Sequence, residues 1–167
     1  MQDIARAGGM SAANLYRFYD GKHAIGAAVA TAEQRELLAG CDRAIAAAPG
    51  GTMEKMTALF LALIDGTRRQ IRTTPLLFDL SVTVARRHPG VRQRLLVETE
   101  ARIIGILAAS AAPGLQSPDE RTAAGRMILM AGAPFVLPWL LLNEPFGNPR
   151  PMVGPLIRRL VSGLEAT

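Results

Sequence analysis

Residues 1–22 read MQDIARAGGM SAANLYRFYD GK, and this stretch decides the fold. Ile4 and Ala5 fall on the inward side of a first short helix. Gly9 stands where the chain must reverse, a position that favours a residue free to take positive φ. Ser11 offers its hydroxyl as the N-cap of a second helix. In that helix Leu15, Phe18 and Tyr19 are spaced i, i+3, i+4 and form one apolar face. Ala13, Tyr16 and Arg17 have the same spacing on the opposite face. Two short helices joined by a glycine turn make a helix-turn-helix, whose second helix fits the DNA major groove. An ordinary helical hairpin with no such role carries the same local pattern.

A longer run, IARAGGMSAANLYRFYDGKHAI over residues 4–25, resembles the DNA-binding signature of the tetracycline-repressor (TetR) family of bacterial regulators. The shared features are the turn, the Leu15-Tyr16 pair and Lys22 at fixed offsets. Gly8 replaces an alanine, which loosens the end of the first helix by up to about 1 kcal/mol. Phe18-Tyr19 inverts the usual Tyr-Phe order. Family members carry a further helix upstream, so Met1 falls inside what the resemblance makes the second helix of the domain. With the inner faces of Ile4, Leu15 and Phe18 short of their partner, the head should fray. Specific DNA binding by the chain as written should then be no tighter than roughly 10⁻⁴ to 10⁻⁶ M.

The resemblance implies that Ser11, Ala12, Ala13, Tyr16, Arg17 and Lys22 meet DNA. Their chemistry suits different tasks. Ala12 and Ala13 allow close approach to the bases, and a methyl can touch a thymine methyl. Arg17 can give two hydrogen bonds to a guanine edge or one to a phosphate. Tyr16 can donate its hydroxyl to a phosphate. Lys22 adds charge at the positive end of the next helix. For Tyr16 and Lys22 a plain solvated face is the alternative.

The charge distribution is uneven. The formal net charge is +5. Over residues 1–48, however, Arg6, Arg17, Lys22, Arg35 and Arg43 are balanced by Asp3, Asp20, Glu33, Glu36 and Asp42: five minus five, or zero. The excess lies downstream, which does not favour phosphate binding by the head alone. A hydrophobic fraction of 49% excludes a disordered chain. The single cysteine, Cys41, excludes an intrachain disulfide and suits a reducing, cytoplasmic location. No signal segment opens the chain. Met127 to Leu142 is an apolar run of 16 residues, shorter than a bilayer span and broken by Pro134 and Pro138, so no membrane partner is expected.

The chain reads as helices throughout, an all-α protein. A partial helix-turn-helix head with its connector helix is expected over residues 1–48, and a helical effector-binding and dimerisation domain over 49–167. Asp20 should cap the connector, which runs from about Lys22 to Ala48 and stops at Pro49-Gly50-Gly51. Thr52 should cap the next helix, whose inner face is Met56, Leu59, Phe60, Leu63 and Ile64. A short helix starts at Pro75, and a long one spans Val91 to Ala111. Ser117-Pro118-Asp119-Glu120 is a helix start of the capping-box type, for a helix running to about Asn143. Met152 to Glu165 closes the chain, with Leu156, Ile157, Leu160, Val161 and Leu164 inward.

No catalytic constellation is present in the pattern. His23 and His88 have no cysteine or carboxylate at metal spacing. Gly8-Gly9 is a turn and not a phosphate cradle. Ser81, Ser110, Ser117 and Ser162 lack a nucleophile signature. No enzyme, metal or cofactor is expected. The expected partners are a double-stranded DNA operator, a second copy of the chain and a small hydrophobic effector. A two-fold dimer matches two half-sites about one helical turn apart. By resemblance it pairs helices 91–111 and 119–143 as a four-helix bundle, with Ile128 and Leu129 as candidate interface positions. Phe60, Phe78, Met130, Phe135 and Trp139 are candidates to line the effector pocket, or simply core. The competing reading is a ligand-binding or dimerisation module with no DNA activity of its own. In-frame codons upstream of Met1 would separate the two.

Overall fold

The computed structural model describes residues 2–7, 9–141 and 147–165, and every element in them is helical. The elements are α1 (Gln2–Ala7), α2 (Ala12–Phe18), α3 (Lys22–Ala47), α4 (Thr52–Thr73), α5 (Pro75–Arg87), α6 (Pro89–Leu107), a 3₁₀ turn (Pro113–Leu115), α7 (Pro118–Val136), α8 (Pro138–Leu141) and α9 (Arg150–Glu165).

Local chemistry sets most of the helix ends. Gly9 has φ +64°, in the left-handed region. Ser11 is extended, and its Oγ accepts from the Asn14 amide at 3.1 Å. Ser117 Oγ accepts from the Glu120 amide at 3.1 Å, while the Ser117 amide donates to Glu120 Oε2 at 2.7 Å. That backbone N–H holds the Glu120 carboxyl below the usual carboxylate range. Two expected caps are replaced. Gly21, at φ +127°, and not Asp20, opens α3. Gly51, and not Thr52, opens α4, with its amide donating to Glu54 Oε2 at 3.0 Å. In both places a glycine takes the cap position and the expected polar residue lies one position away from it.

The two long C-terminal helices are shorter than their apolar runs. α6 begins at Pro89 and ends at Leu107, ahead of the Pro113 turn. The run from residue 119 breaks at Leu137, which is extended at ψ 132° because the following Pro138 disfavours the helical region for its predecessor. The expected end near Asn143 lies outside the described residues.

α3 is the spine. It packs along α4 and α5, α6 pairs with α7, and α9 lies across α4. The core is led by Met56, Leu59, Phe60, Leu63 and Ile64 of α4, all fully buried. Ile103 and Leu107 of α6, Ile128 of α7, and Ile157 and Val161 of α9 meet them. On α9, Leu156, Leu160 and Leu164 are half-buried at the edge of this face, which Val153 extends. Close crossings demand small residues. A Cβ on Gly132 of α7 would overlap the Phe60 ring, and one on Gly125 would lie 2.8 Å from Ile104 Cγ1. Arg102 ties α6 to α3 by paired bonds of 2.8 Å to both Asp42 carboxylate oxygens. Cys41 is buried in the same region, and that burial pushes its thiol up to about 12.

Candidate functional site

The head is built from short-range bonds. The Gly9 amide donates to Arg6 O at 3.1 Å and the Met10 amide to Ala5 O at 3.0 Å, which closes α1 and turns the chain. The Ser11 cap then starts α2. Ala5 and Leu15 are buried between them. The Ile4 side chain lies outside the described residues. Phe18 does not join this face: it is 67% exposed, as the last residue of α2, with the Arg17 guanidinium 6.0 Å from its ring centroid. Tyr19, just past the helix, is half-buried.

Ser11, Ala13, Tyr16, Arg17 and Lys22 are exposed, and Ala12 is half-exposed. The face that carries Ala13, Tyr16 and Arg17 therefore has a methyl, a phenol hydroxyl and a guanidinium directed at solvent. That set matches groups that touch base edges and phosphates.

A second feature lies in the body. A narrow cavity of about 30 Å³ opens between α3, α4, α5, α6 and α8. It has room for about two waters. Phe78, Ser81, Val82 and Ala85 line it from one face of α5, with Gln34 and Leu37 opposite and Leu95 and Pro138 closing the ends. Gln34 donates to Val91 O at 3.2 Å, and Gln70 to Glu33 O at 3.2 Å. Gln34 Oε1 and Ser81 Oγ are buried and meet no hydrogen-bond partner among the described residues. Buried polar atoms of this kind normally find water or a ligand.

Of the expected pocket residues, Phe78 lines this cavity. Phe60 is packed in the core against Gly132, and Met130 is 71% exposed. The Phe135 and Trp139 side chains lie outside the described ones. Gln34 and Ser81 line the cavity and were not among the expected pocket residues. The available signal was the i, i+3, i+4, i+7 spacing of Phe78, Ser81, Val82 and Ala85, which places a hydroxyl within an apolar face.

Ile128 and Leu129, the candidate interface positions, are 1% and 6% exposed and belong to the core. They point inward because α7 presents its other side to solvent: Ala123, Met127, Met130, Ala131 and Pro134. On α6, Val97, Ala101, Gly105 and Ala108 are exposed at the matching i, i+4, i+8, i+11 spacing. Each helix thus carries a row of exposed apolar or small residues, Ala108 being the C-cap of α6.

Among the described residues no group of three His, Cys, Asp or Glu could hold a metal, and no helix is long and apolar enough to cross a membrane. No protein-family model matches the chain, and no curated protein sequence does. Among solved structures the chain is similar to the crystal structure of a proposed transcriptional regulator from Pseudomonas aeruginosa PAO1, with a TM-score of 0.68 and 25% identity over 98% of this chain and 78% of that one. This likeness, over nearly all of the chain, supports a role in regulating transcription.

Proposed function

We propose that this protein is a DNA-binding transcriptional regulator of the TetR type, a repressor that acts as a homodimer and leaves its operator when a small hydrophobic effector binds. The observation that carries the reading is the exposed face of Ala13, Tyr16 and Arg17 on α2, held out by the Gly9 turn and the Ser11 cap. The solved regulator with the same fold supports it. In this reading α2 enters the major groove, Arg17 reads a base edge or grips a phosphate, and Tyr16 and Lys22 fix the register on the backbone. The apolar surface of Val97, Met127 and Met130 pairs two copies.

The effector site is the cavity against α5. Its lining is apolar, with Gln34 Oε1 and Ser81 Oγ placed to receive hydrogen bonds. The fitting ligand is a small apolar molecule with a donor group, such as a phenol or an alcohol. A cavity this narrow must widen to take even a single ring, so binding parts α5 from α3. A ligand that binds the widened state better shifts the population toward it.

The test is a selection of genomic fragments on the immobilised protein, repeated with Arg17→Ala. Enrichment of an inverted repeat by the protein extended with its in-frame upstream codons, lost in the variant, is the expected result. Equal enrichment by both proteins, or none, rejects DNA recognition by α2 and leaves a ligand-binding or dimerisation module. A thermal-shift screen of phenols and lipophilic alcohols against multiply charged metabolites tests the cavity. A ligand at 100 times its Kd adds about 2.7 kcal/mol, and stabilisation by charged compounds only would reject the apolar site.

A further inference from the structure

Residues 1–48, the head read as the DNA-recognition element together with its connector helix, carry no net charge. DNA affinity nevertheless comes largely from cations set against phosphates. The missing charge is concentrated elsewhere. Arg86 and Arg87 end α5, and Arg92 and Arg94 lie in the first two turns of α6: four arginines in nine residues, with no carboxylate between Asp79 and Glu98. All four are exposed. None forms an ion pair or side-chain hydrogen bond among the described residues, whereas Arg43, Arg102, Arg126 and Arg150 each hold a carboxylate. The first turn of α6 holds no acidic residue to offset them. Four like charges at one corner repel one another, and a polyanion relieves that repulsion.

The corner sits beside the head. His88, between the two helices, has its ring centroid 6.0 Å from that of His23, the residue after Lys22. An open groove between the corner and α3 is walled by Tyr19, Arg35, His88 and Arg94. Tyr19 is the first residue after α2. Of the four arginines, Arg94 therefore adjoins the point where the recognition helix passes into the connector, and the other three lie within eight residues of it in the chain.

We infer that the α5–α6 corner is a second DNA contact, a sequence-independent grip on the phosphate backbone next to the base-reading helix. This rests on the DNA-binding reading above. It assigns the two parts different work: α2 supplies base contacts, and the corner supplies net charge that residues 1–48 do not.

Titration of a labelled duplex of arbitrary sequence, between roughly 50 and 200 mM salt, tests this with three proteins. They are the native chain, Arg17→Ala, and the quadruple variant Arg86→Gln, Arg87→Gln, Arg92→Gln, Arg94→Gln. Each lost phosphate contact lowers the slope of log K against log salt by about 0.9. The quadruple variant should lose about two to four units of slope and weaken on every sequence alike, with an unchanged melting temperature because all four sites are on the surface. Arg17→Ala should lose at most about one unit. A quadruple variant that keeps the native slope overturns the inference, and the DNA reading stands if Arg17→Ala still weakens binding. A native chain that binds no duplex even at low salt overturns both. If the quadruple variant instead loses only binding to vesicles containing phosphatidylserine, the corner's partner is an anionic membrane surface and the inference is wrong.

Discussion

The head and the body of this chain are stabilised in different ways. The body buries Met56, Leu59, Phe60, Leu63, Ile64, Ile103, Leu107, Ile128 and Ile157 almost completely, from helices far apart in sequence. The head buries Ala5 and Leu15, and Phe18 stays in solvent. α2 has 7 residues. Helices that short are marginal on propensity alone. The head therefore depends on its turn and cap, while the body depends on non-local packing. In the function proposed above, a head of low local stability can adjust to DNA while the packed body sets where it is presented.

The sharpest way to break this comparison is within α7. Ile128→Glu places an unpaired charge in the core and should cost about 3–5 kcal/mol or more, taking the body and the head with it. Met130→Glu lies on the exposed surface and should leave a folded chain that no longer pairs. Circular dichroism with light scattering separates the two. A Met130→Glu protein that remains a dimer would remove the apolar surface of α6 and α7 from the interface.

Cys41, on α3 where that helix packs into the core, reports on this packing through pH. Its folded thiol titrates near 12 against an ordinary 9.0, because burial disfavours the thiolate. Above pH 9.0 the unfolded chain holds fewer protons than the folded one. Stability should therefore fall as pH rises from 9.0 toward 12, by roughly 1.4 kcal/mol per pH unit from this group. Urea melts of the native chain and Cys41→Ala at pH 8 and pH 10 measure it. The same slope in both proteins would mean that other groups cause the loss. At neutral pH iodoacetamide should not modify the native thiol.

The smallest effects compare the two capping serines directly. Ser117→Ala removes a cap from the body and should cost about 1 kcal/mol. That lowers the main melt by about 2–4 °C for a chain of this size. Ser11→Ala removes an equivalent cap from the head. It should leave the main melt in place while hydrogen exchange in residues 11–19 speeds up. Equal shifts of the main melt would show that head and body unfold as one unit.

The elements that could be read in advance are those with short-range causes. The Gly9 reversal, the Ser11 cap, the Ser117–Glu120 box and the inner face of α4 each depend on residues within a turn or two. The same local logic missed by one residue at Gly21 and Gly51, where a glycine's freedom outranked the neighbouring Asp20 and Thr52. It also treated Leu15 and Phe18 alike because spacing does not say where a helix ends. In the cavity against α5, Phe78 was legible as a large apolar residue. Gln34 and Ser81 were not, because their role depends on α3 and α5 facing each other across the same gap.

By itself, the sequence determined the all-helical class, most of the helix starts and the outward set of α2, since caps, turns and the 3.6-residue period act locally. Tertiary structure decided which side of α7 became core. Ile128 and Met130 are both apolar and two residues apart, and only the packing of α7 on α4 and α6, with Gly132 against Phe60, buries one and exposes the other. It also brought His88, at the α5–α6 corner, to the start of α3, 65 residues from His23 in sequence but 6.0 Å between rings. Periodicity states which residues share a face; what that face meets depends on chain segments the local pattern does not contain.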